Sequence, residues 1–378
     1  MKGIFKLAYK LLVNDKTKFS ALLVGVTFAA FGMTFAASVF VGILNHSSAT
    51  VINIGAPMWV MDPGVTTPAN TIGMPDYVLD AVRSMRGVKY AVPLYAGGAL
   101  LKLPDGTYQS ASVIGLDDTS LLGRPTLLEG KIEDIYAQNG FIAVRDADFP
   151  KLGNPRIGSE FELNDHRGVI VAIAKVSTSS LFGVPTLYTT YERATQYIPS
   201  PRYTISYVLV HPNSPSDIAD IKQQVQALGY LALTKDDFIR RTITFYVYQT
   251  GMGTNLLIMT LISFLVGLSI SGQTFYMFVI ENLERFGALK ALGATSRKLI
   301  SMILFQVTLA SFTGFGLGIG LCVLLVEIAR LRMPSYFAMI TYPVLTFAFV
   351  MVIVIAAISS YVGIRKVLRI EPFDIFRG

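Results

Sequence analysis

The chain has 378 residues, of which 52% are hydrophobic and 15% charged, and its mean hydropathy is +0.52. This composition excludes a fully soluble protein. The formal net charge of +7 is not spread evenly, because residues 45–250 carry 17 Lys and Arg against 19 Asp and Glu, whereas the remainder carries 15 against 6. The positive charge belongs to segments that flank the membrane, where it meets anionic membrane lipid, and no nucleic-acid partner is expected.

Four apolar runs predict transmembrane helices. Each holds a stretch of about 20 residues without charge, which spans a hydrocarbon core of about 30 Å at a rise of about 1.5 Å per residue. The predicted segments are a cytoplasmic amphipathic helix at 1–18, transmembrane helix 1 at 19–44, an outer domain at 45–250, transmembrane helix 2 at 254–280, a cytoplasmic segment at 281–298, transmembrane helix 3 at 299–326, a short periplasmic loop at 327–341, transmembrane helix 4 at 342–364 and a cytoplasmic tail at 365–378.

Basic residues set the predicted orientation, because Lys and Arg near the ends of spans are retained in the cytoplasm. Lysines cluster before the first span, and further basic residues lie between the second and third spans and after the fourth. Both termini are therefore expected in the cytoplasm, with the outer domain on the other side of the membrane. Arg330 and Arg332 are expected in the external turn between spans three and four.

The outer domain reads as a mixed α/β fold, with two subdomains and a stalk. Residues 51–61 predict an entering strand, 75–85 a helix, and 90–103 with 108–115 a pair of strands around a Pro-Asp-Gly turn. Further strands are predicted at 140–144, 160–163, 168–175 and 187–190. Residues 236–253 either continue as a rigid helix into the second span or bend at a joint made by Gly251 and Gly253. The predicted fold class is a four-helix membrane protein with this domain inserted between helices 1 and 2.

Motifs for enzymatic chemistry are missing from the sequence. The phosphate loop G-x-x-x-x-G-K-[ST] does not occur, so no ATP site is expected in this chain. His46, His166 and His211 are far apart and lack the spacing of metal ligands, so no metal, catalytic or cofactor site is expected. The spans contain no Asp, Glu, Lys or Arg at their centres, which disfavours an ion-coupled transporter. The energy for any transport must then come from elsewhere.

The segment 281–298 reads ENLERFGALKALGATSRK and predicts a short helix between spans two and three. We predict that Phe286, Leu289 and Leu292 share one helical face and that this face fits a groove on a cytoplasmic partner. Gly287 permits close approach of another backbone, and Gly293 is suited to end the helix. An ordinary interfacial turn between spans is the alternative interpretation.

The string ERFGALKALGAT resembles the coupling segment of ABC permeases of the MacB and FtsX type. Six residues match the common form of that segment: Gly287, Leu289, Lys290, Ala291, Gly293 and Ala294. Glu284 and Arg285, by contrast, stand in reversed charge order. The resemblance implies contact with an ATPase dimer through Glu284, Arg285, Phe286, Gly287, Leu289, Lys290, Ala291, Leu292, Gly293 and Ala294.

Other parts of the chain resemble the same family. One span precedes an outer domain of about 200 residues and three follow it, and the closing IRKVLRIEPFDIFRG is similar to the terminal segment of these permeases. Within span three, Gly314 with Gly318 and Gly316 with Gly320 form G-x-x-x-G pairs that allow close helix packing. They serve either packing within one subunit or the homodimer that the family implies.

The sequences of these motifs are most similar to those of the DevC-like branch, which has no fused ATPase domain. That branch implies a location in the inner (plasma) membrane of a bacterium, with the outer domain in the periplasm. It also implies a separate ATPase dimer that binds ATP and Mg, a periplasmic membrane fusion protein and a TolC-type outer-membrane channel. The implied mechanism is mechanotransmission, in which ATP hydrolysis moves the outer domain and drives export of a lipid, glycolipid, peptide or drug-like molecule. The alternatives are an FtsX-like signalling permease that activates a cell-wall hydrolase, a lipoprotein-extracting permease, and a membrane-anchored enzyme.

Overall fold

The computed structural model describes residues 2–198, 203 and 205–368. The longer apolar segments and the short amphipathic ones both form helices. In the described chain these are α1 (Lys2–Asn14), α2 (Lys16–Ser47), α3 (Ala49–Ile54), α4 (Tyr77–Arg83), α5 (Tyr191–Tyr197), α6 (Ile218–Ala227), α7 (Lys235–Tyr248), α8 (Met252–Glu281), α9 (Leu283–Ala291), α10 (Ser296–Arg332) and α11 (Tyr342–Leu368).

All the named strands lie between α3 and α7. They are β1 (Met58–Met61), β2 (Val88–Lys102), β3 (Tyr108–Leu116), β4 (Thr126–Glu129), β5 (Gly140–Val144), β6 (Glu160–Leu163), β7 (His166–Lys175), β8 (Thr186–Thr190), β9 (Tyr207–Pro212) and β10 (Leu231–Thr234). The chain divides into two compact units. The outer domain comprises residues 42–252 and 333–337, and the membrane unit comprises the described parts of the remainder.

Four helices of the described chain, α2, α8, α10 and α11, are long and apolar enough to cross a membrane. The mixed sheet domain follows the first of them and precedes the second. The predicted fold class is therefore confirmed. Within the membrane unit, glycines bring α2 close to two other helices. Gly25 of α2 lies against Ile270 and Ser271 of α8, and Gly314 of α10 lies against Val26 of α2. Small residues at such crossings let helix backbones approach closely in lipid.

The first half of the outer domain is an antiparallel sheet in the order β10-β1-β9-β2. Helices α4 and α6 cover one face with Val78, Val82, Ile221 and Val225. On the other face, Trp59 packs edge-on against Tyr207 and Phe238 at ring-centroid distances of 5.2 and 5.7 Å. Strand β1 is buried at every position because both faces of this half are covered, which explains its unbroken apolar sequence MWVM.

The second half of the outer domain is a small closed barrel. Strand pairs β2-β3, β3-β8, β8-β5, β5-β7, β7-β6 and β6-β2 form a complete circuit. Leu101, Val113, Phe141, Phe161 and Leu187 fill a core cluster in this half. The long strand β2 belongs to both halves, pairing with β9 through its first part and with β3 through its second. Closure leaves these six strands without the free edges that would otherwise invite pairing with other chains, and β4 joins the circuit only through β7.

Two predicted boundaries are wrong. The predicted strand at 51–61 begins as helix α3, because Val51 and Ile54 lie at helical spacing on the core and Gly55, at φ 67°, ends the helix. The strand covers Met58–Met61 alone. Arg330 and Arg332 lie in the last turn of α10 and not in a loop, where Arg330 donates to Glu327 and to the carbonyl of Ala338 at 3.0 and 2.8 Å.

Of the two predictions for 236–253, the continuous helix is wrong, and the break lies at Gly251 alone because Gly253 is inside α8. Helix α7 ends at Tyr248 and α8 begins at Met252, with Gly251 between them at φ 73°. A left-handed backbone at this position is readily adopted by glycine. The closing segment from Arg369 onwards, which carries part of the family resemblance, lies outside the described residues.

Candidate functional site

Helix α9 is the short helix predicted between the second and third spans. It begins after Asn282, a buried residue whose amide donates to the carbonyl of Phe278 at 2.8 Å and accepts from Arg285 Nη1 at 2.9 Å. These bonds tie the start of α9 to the last turns of α8. The helix therefore leaves α8 at a position fixed by side-chain contacts and not by the backbone alone.

One face of α9 is part of the core of the membrane unit. Phe286 is fully buried and Gly287 is buried beside it. Phe286 belongs to a cluster with Ala8 and Leu12 of α1 and with Ile303 of α10, against which Leu289 packs as a partly buried neighbour. This face anchors the segment, so these side chains are not free to enter a groove on another protein.

The prediction that Phe286, Leu289 and Leu292 share one face is wrong. Leu292 is 85% exposed, whereas Phe286 is 0% exposed. Residues six apart on a helix with 3.6 residues per turn differ by about 120° in direction. In addition, the helix ends at Ala291, so Leu292 lies in the turn that follows it.

The opposite face of α9 and its C-terminal turn are exposed. This surface, which we call the exposed face of α9, consists of Glu284, Arg285, Ala288, Ala291, Leu292 and Gly293. Lys290 and Ala294 are intermediate in exposure. The exposed face therefore has two ionisable residues at the start of the helix, and small residues with one large apolar side chain towards its end.

Gly293 ends α9 as predicted. It adopts φ 91°, and its N–H donates to the carbonyl of Lys290 at 3.1 Å, while Ala294 N–H donates to the carbonyl of Leu289 at 2.9 Å. This pair of bonds is the Schellman motif, in which a left-handed residue satisfies the last helical carbonyls. A Cβ at Gly293 would meet no described atom within 4 Å, so the backbone angle and not lack of space requires glycine.

Two contacts missed by the sequence analysis connect the chain start to this region. Gln306 of α10 is fully buried and donates to the carbonyl of Ala8 in α1 at 2.9 Å. Lys18 forms ion pairs with Asp15, at 2.8 Å, and with Glu281 at the end of α8. The hydrogen bond from Lys18 holds the pKa of Asp15 below its usual range. The lysines near the start were interpreted only as orientation charges, because pairing over 263 positions leaves no local pattern.

The four glycines of span three divide into two pairs with different environments. A Cβ at Gly318 would lie 2.7 Å from the Cβ of Ala30 and 2.8 Å from the carbonyl oxygen of Thr27, so Gly314 and Gly318 face α2 of the same chain. A Cβ at Gly316 or Gly320 would meet no described atom within 4 Å. The first pair therefore serves packing within the subunit, and the second pair is open.

The three histidines lie in separate places. His46 bonds the carbonyl of Ser179 through Nδ1 at 2.8 Å, His166 stacks on Tyr197, and His211 stacks on Tyr90. Within the described residues, no three side chains of His, Cys, Asp or Glu come together as metal ligands.

Comparisons with known families match almost the whole chain. The model of the MacB-like periplasmic core domain matches residues 20–228, more than half of the chain, and the model of the FtsX-like permease C-terminal region matches residues 257–372. The chain belongs to the MacB/FtsX type of ABC transporter permeases. The permease thus contains both regions of the type, the periplasmic core domain in the first two thirds of the chain and the FtsX-like region in the last third.

Relatives of the permease are similar over different lengths. The ABC transporter permease Rv0072 of Mycobacterium tuberculosis (strain ATCC 25618 / H37Rv) is 23% identical over 362 residues, which cover 92% of each chain. HrtB of Staphylococcus haemolyticus (strain JCSC1435), named for a hemin transport system, is 24% identical over 42% of the permease and 44% of its own length. The periplasmic region of MacB from Actinobacillus actinomycetemcomitans aligns over 51% of the permease and 94% of that structure, with 14% identity and a TM-score of 0.38.

Proposed function

We propose that the permease couples ATP hydrolysis by a separate ATPase dimer to movement of its outer domain, and that this movement drives export. In this proposal α9 lies on the cytoplasmic side, as do both termini, in the inner membrane of a bacterium. ATP and Mg bind to the partner ATPase and not to this chain. The conclusion depends most on one observation, that α9 is anchored on one face and exposed on the other.

The anchored face gives α9 the mechanical role. Because Phe286 packs with residues of α1 and α10, a force applied to α9 is passed to two neighbouring helices of the membrane unit. Close-packed interiors transmit displacement because they have little free volume. The exposed face supplies the contact, since large apolar side chains surrounded by polar groups are typical anchors at protein interfaces. Leu292 is such a side chain, and Glu284 and Arg285 supply the polar groups.

The proposed cargo is a lipid, glycolipid, peptide or drug-like molecule taken up outside the cytoplasm. The relative named for hemin transport adds a large, partly apolar molecule to this class. A homodimer, with Gly316 and Gly320 as candidate packing positions, and a tripartite assembly with a membrane fusion protein and a TolC-type channel complete the proposal. No acidic or basic side chain at the span centres would then be needed for energy coupling.

Substitution of the exposed leucine tests the proposal. Leu292→Asp places a charge on the exposed face of α9 without removing a buried contact. The free energy of unfolding is therefore expected to change by no more than about 0.5 kcal/mol. We expect loss of ATPase copurification and at least a tenfold fall in ATP hydrolysis by the complex, since central anchors contribute about 2 kcal/mol or more to binding. The measurement is ATP hydrolysis by the complex in nanodiscs, with subunit content determined by mass spectrometry.

The chain offers a matched control. Leu228 also follows a helix and precedes a left-handed glycine, Gly229 at φ 84°, but it lies in the outer domain. Leu228→Asp should leave ATPase binding and hydrolysis unchanged. Normal hydrolysis and normal subunit content in the Leu292→Asp complex would contradict the proposed role of α9.

A further inference from the structure

A polar cavity of about 330 Å³ opens on the outer domain beside α3. We call it the basic pocket. Its polar lining consists of Asn53, Arg124, Thr126, Lys175 and Ser177. Asn53 belongs to α3, Thr126 to β4 and Lys175 to β7, so three elements that are distant in sequence form its wall. The pocket lies entirely within the outer domain.

The wall of the basic pocket is held by strand pairing and by the side chain of Asn53. Thr126 and Lys175 are direct partners in the antiparallel pair of β4 and β7. The side chain of Asn53 accepts from the N–H groups of Ser177 and Thr178, each at 3.1 Å, and donates to the carbonyl of Thr178 at 2.7 Å. These bonds fix the loop after β7 against α3. The pocket is therefore preformed.

The pocket carries positive charge that the described residues do not neutralise. Arg124 and Lys175 both line it, no carboxylate does, and neither cation forms an ion pair in the described part of the chain. Arg145, by contrast, which follows β5, is paired with Glu129 of β4 at 2.8 Å. An arginine fork and a lysine ammonium beside two hydroxyl groups are donors suited to the oxygens of a phosphate.

Two contacts connect the loop beside the pocket to residues that adjoin apolar segments of the chain. The first apolar span ends at Leu44, and Nδ1 of His46, two residues later, bonds the carbonyl of Ser179 at 2.8 Å. The loop that contains Ser177 and Ser179 continues to Gly183, where a Cβ would lie 3.2 Å from Oγ of Ser335. Ser335 belongs to the short connection between α10 and α11, so the loop contacts the chain at two points where it leaves apolar helices. Lipid head groups lie at the ends of membrane-spanning helices.

We propose that the basic pocket binds the phosphate of an anionic phospholipid in the leaflet next to the outer domain. The proposal goes beyond the function proposed above, because it requires neither an ATPase nor an exported molecule. Headgroup binding there would hold the base of the outer domain on the membrane. A soluble phosphate offers the same chemistry, and the contacts of the neighbouring loop with residues that adjoin apolar helices favour the lipid.

The test counts bound lipid on the full chain. Purified permease in detergent is titrated with phosphatidylglycerol or with phosphatidylcholine, and retained lipid is measured by native mass spectrometry. For the double variant Arg124→Gln and Lys175→Gln, we expect the apparent affinity for phosphatidylglycerol to fall about tenfold or more, given about 1 kcal/mol per basic residue near an anionic surface. The neutral amides keep side-chain length, and intrinsic fluorescence of Trp59, buried in the core of the outer domain, reports whether that domain is folded.

A second double variant, Lys89→Gln and Arg156→Gln, removes two exposed charges of the same domain that do not line the pocket. It should retain wild-type lipid binding. Equal loss in both double variants, or equal retention of the two lipids by the wild type, would overturn the proposal. Displacement of phosphatidylglycerol by millimolar inorganic phosphate would assign the pocket to a soluble anion and would also overturn it.

Discussion

Asp146 and Asp148 follow β5 in the outer domain and meet a short connection from the membrane helices. Asp148 is fully buried; its carboxylate accepts from Ser335 and pairs with Lys151 at 2.9 Å. Asp146 accepts from the N–H of Asp148 at 2.9 Å, but its second oxygen has no partner among the described atoms. Burial, and then the nearby charge of Asp148, raise the pKa of Asp146. The ionised form of Asp146 is therefore disfavoured in the folded state.

Replacing Asp146 by asparagine should stabilise the outer domain at pH values above the raised pKa of Asp146. The pKa of Asp146 is higher in the folded state than in the unfolded state, so Asp146 is protonated first in the folded protein as the pH falls. The stability of the wild type therefore increases as the pH falls through that range. The advantage of Asp146→Asn should therefore be largest at pH 8 and should shrink as the pH falls through the raised pKa. The measurement is the midpoint of thermal unfolding, followed by the fluorescence of Trp59, the single tryptophan of the sequence.

Asp105→Asn provides a comparison of opposite sign. Asp105 accepts from both the N–H and the hydroxyl of Thr107, at 2.9 and 2.6 Å, and these bonds lower its pKa. Its replacement should not stabilise the domain at pH 8, and any loss that it causes should diminish as the pH falls through its lowered pKa. A midpoint for Asp146→Asn that is unchanged at every pH would show that its carboxylate is adequately solvated.

Buried carboxylates of this kind were not predictable from the sequence. Asp117 and Asp118 look equally prominent as a local pair, and only the tertiary structure shows that Asp148 meets a residue 187 positions away. The same applies to Arg124 and Lys175, which no local motif connects. Glycine at 293 was predictable, because the requirement for a left-handed residue at a helix end is local.

At the scale of helices, the two glycine pairs of α10 should respond differently to substitution. In Gly318→Ala the new methyl group would meet Ala30 and the backbone oxygen of Thr27, neither of which can move without shifting α2. We expect a loss of about 1–3 kcal/mol in the stability of the membrane unit, the usual effect of overpacking. The measurement is unfolding by titration with a denaturing detergent, followed by circular dichroism.

Gly320→Ala is the matched control, since the same methyl group enters open space. It should be neutral or stabilising by up to about 1 kcal/mol, as expected when alanine replaces glycine in a helix. If Gly316 and Gly320 pack at the proposed homodimer contact, the bulkier Gly320→Leu should lower the dimer fraction and leave the monomer folded. Equal destabilisation by Gly318→Ala and Gly320→Ala would contradict the division into two pairs.

Local composition was sufficient to find the membrane helices but not to orient the short helix between them. Each of the four predicted spans lies within an observed helix, because about 20 apolar residues dictate a span wherever they occur. The helix ends were missed where structure continues past the apolar run, as in α10, which extends to Arg332. The inward face of α9 could not be predicted, because α1, from the other end of the chain, supplies part of its packing surface.

For the whole molecule, the chain path between the two units matters for the proposed mechanism. The chain passes between the units after Val41, after Met252, after Arg332 and after Phe337. The first passage lies inside α2, which continues without interruption to Ser47. The second follows the joint at Gly251, where the helix is broken. A continuous helix resists bending. At a left-handed glycine the helical hydrogen bonds are interrupted, so the two helices on either side are not joined into one stiff rod. We therefore expect α2 to carry motion to the outer domain.

Softening α2 at the first passage should separate ATP hydrolysis from outer-domain motion. Three glycines inserted between Val41 and Gly42 would weaken the helix there by about 1 kcal/mol per residue relative to alanine. Motion is measured from a spin label at Tyr108→Cys, an exposed position, in a Cys322→Ala background, because Cys322 is the single cysteine of the sequence. We expect ATP hydrolysis to persist and the ATP-dependent change in the label's spectrum to disappear. The same insertion after Gly229, in an exposed turn of the outer domain, should preserve both. An ATP-dependent change that survives the α2 insertion would show that motion reaches the outer domain by another passage.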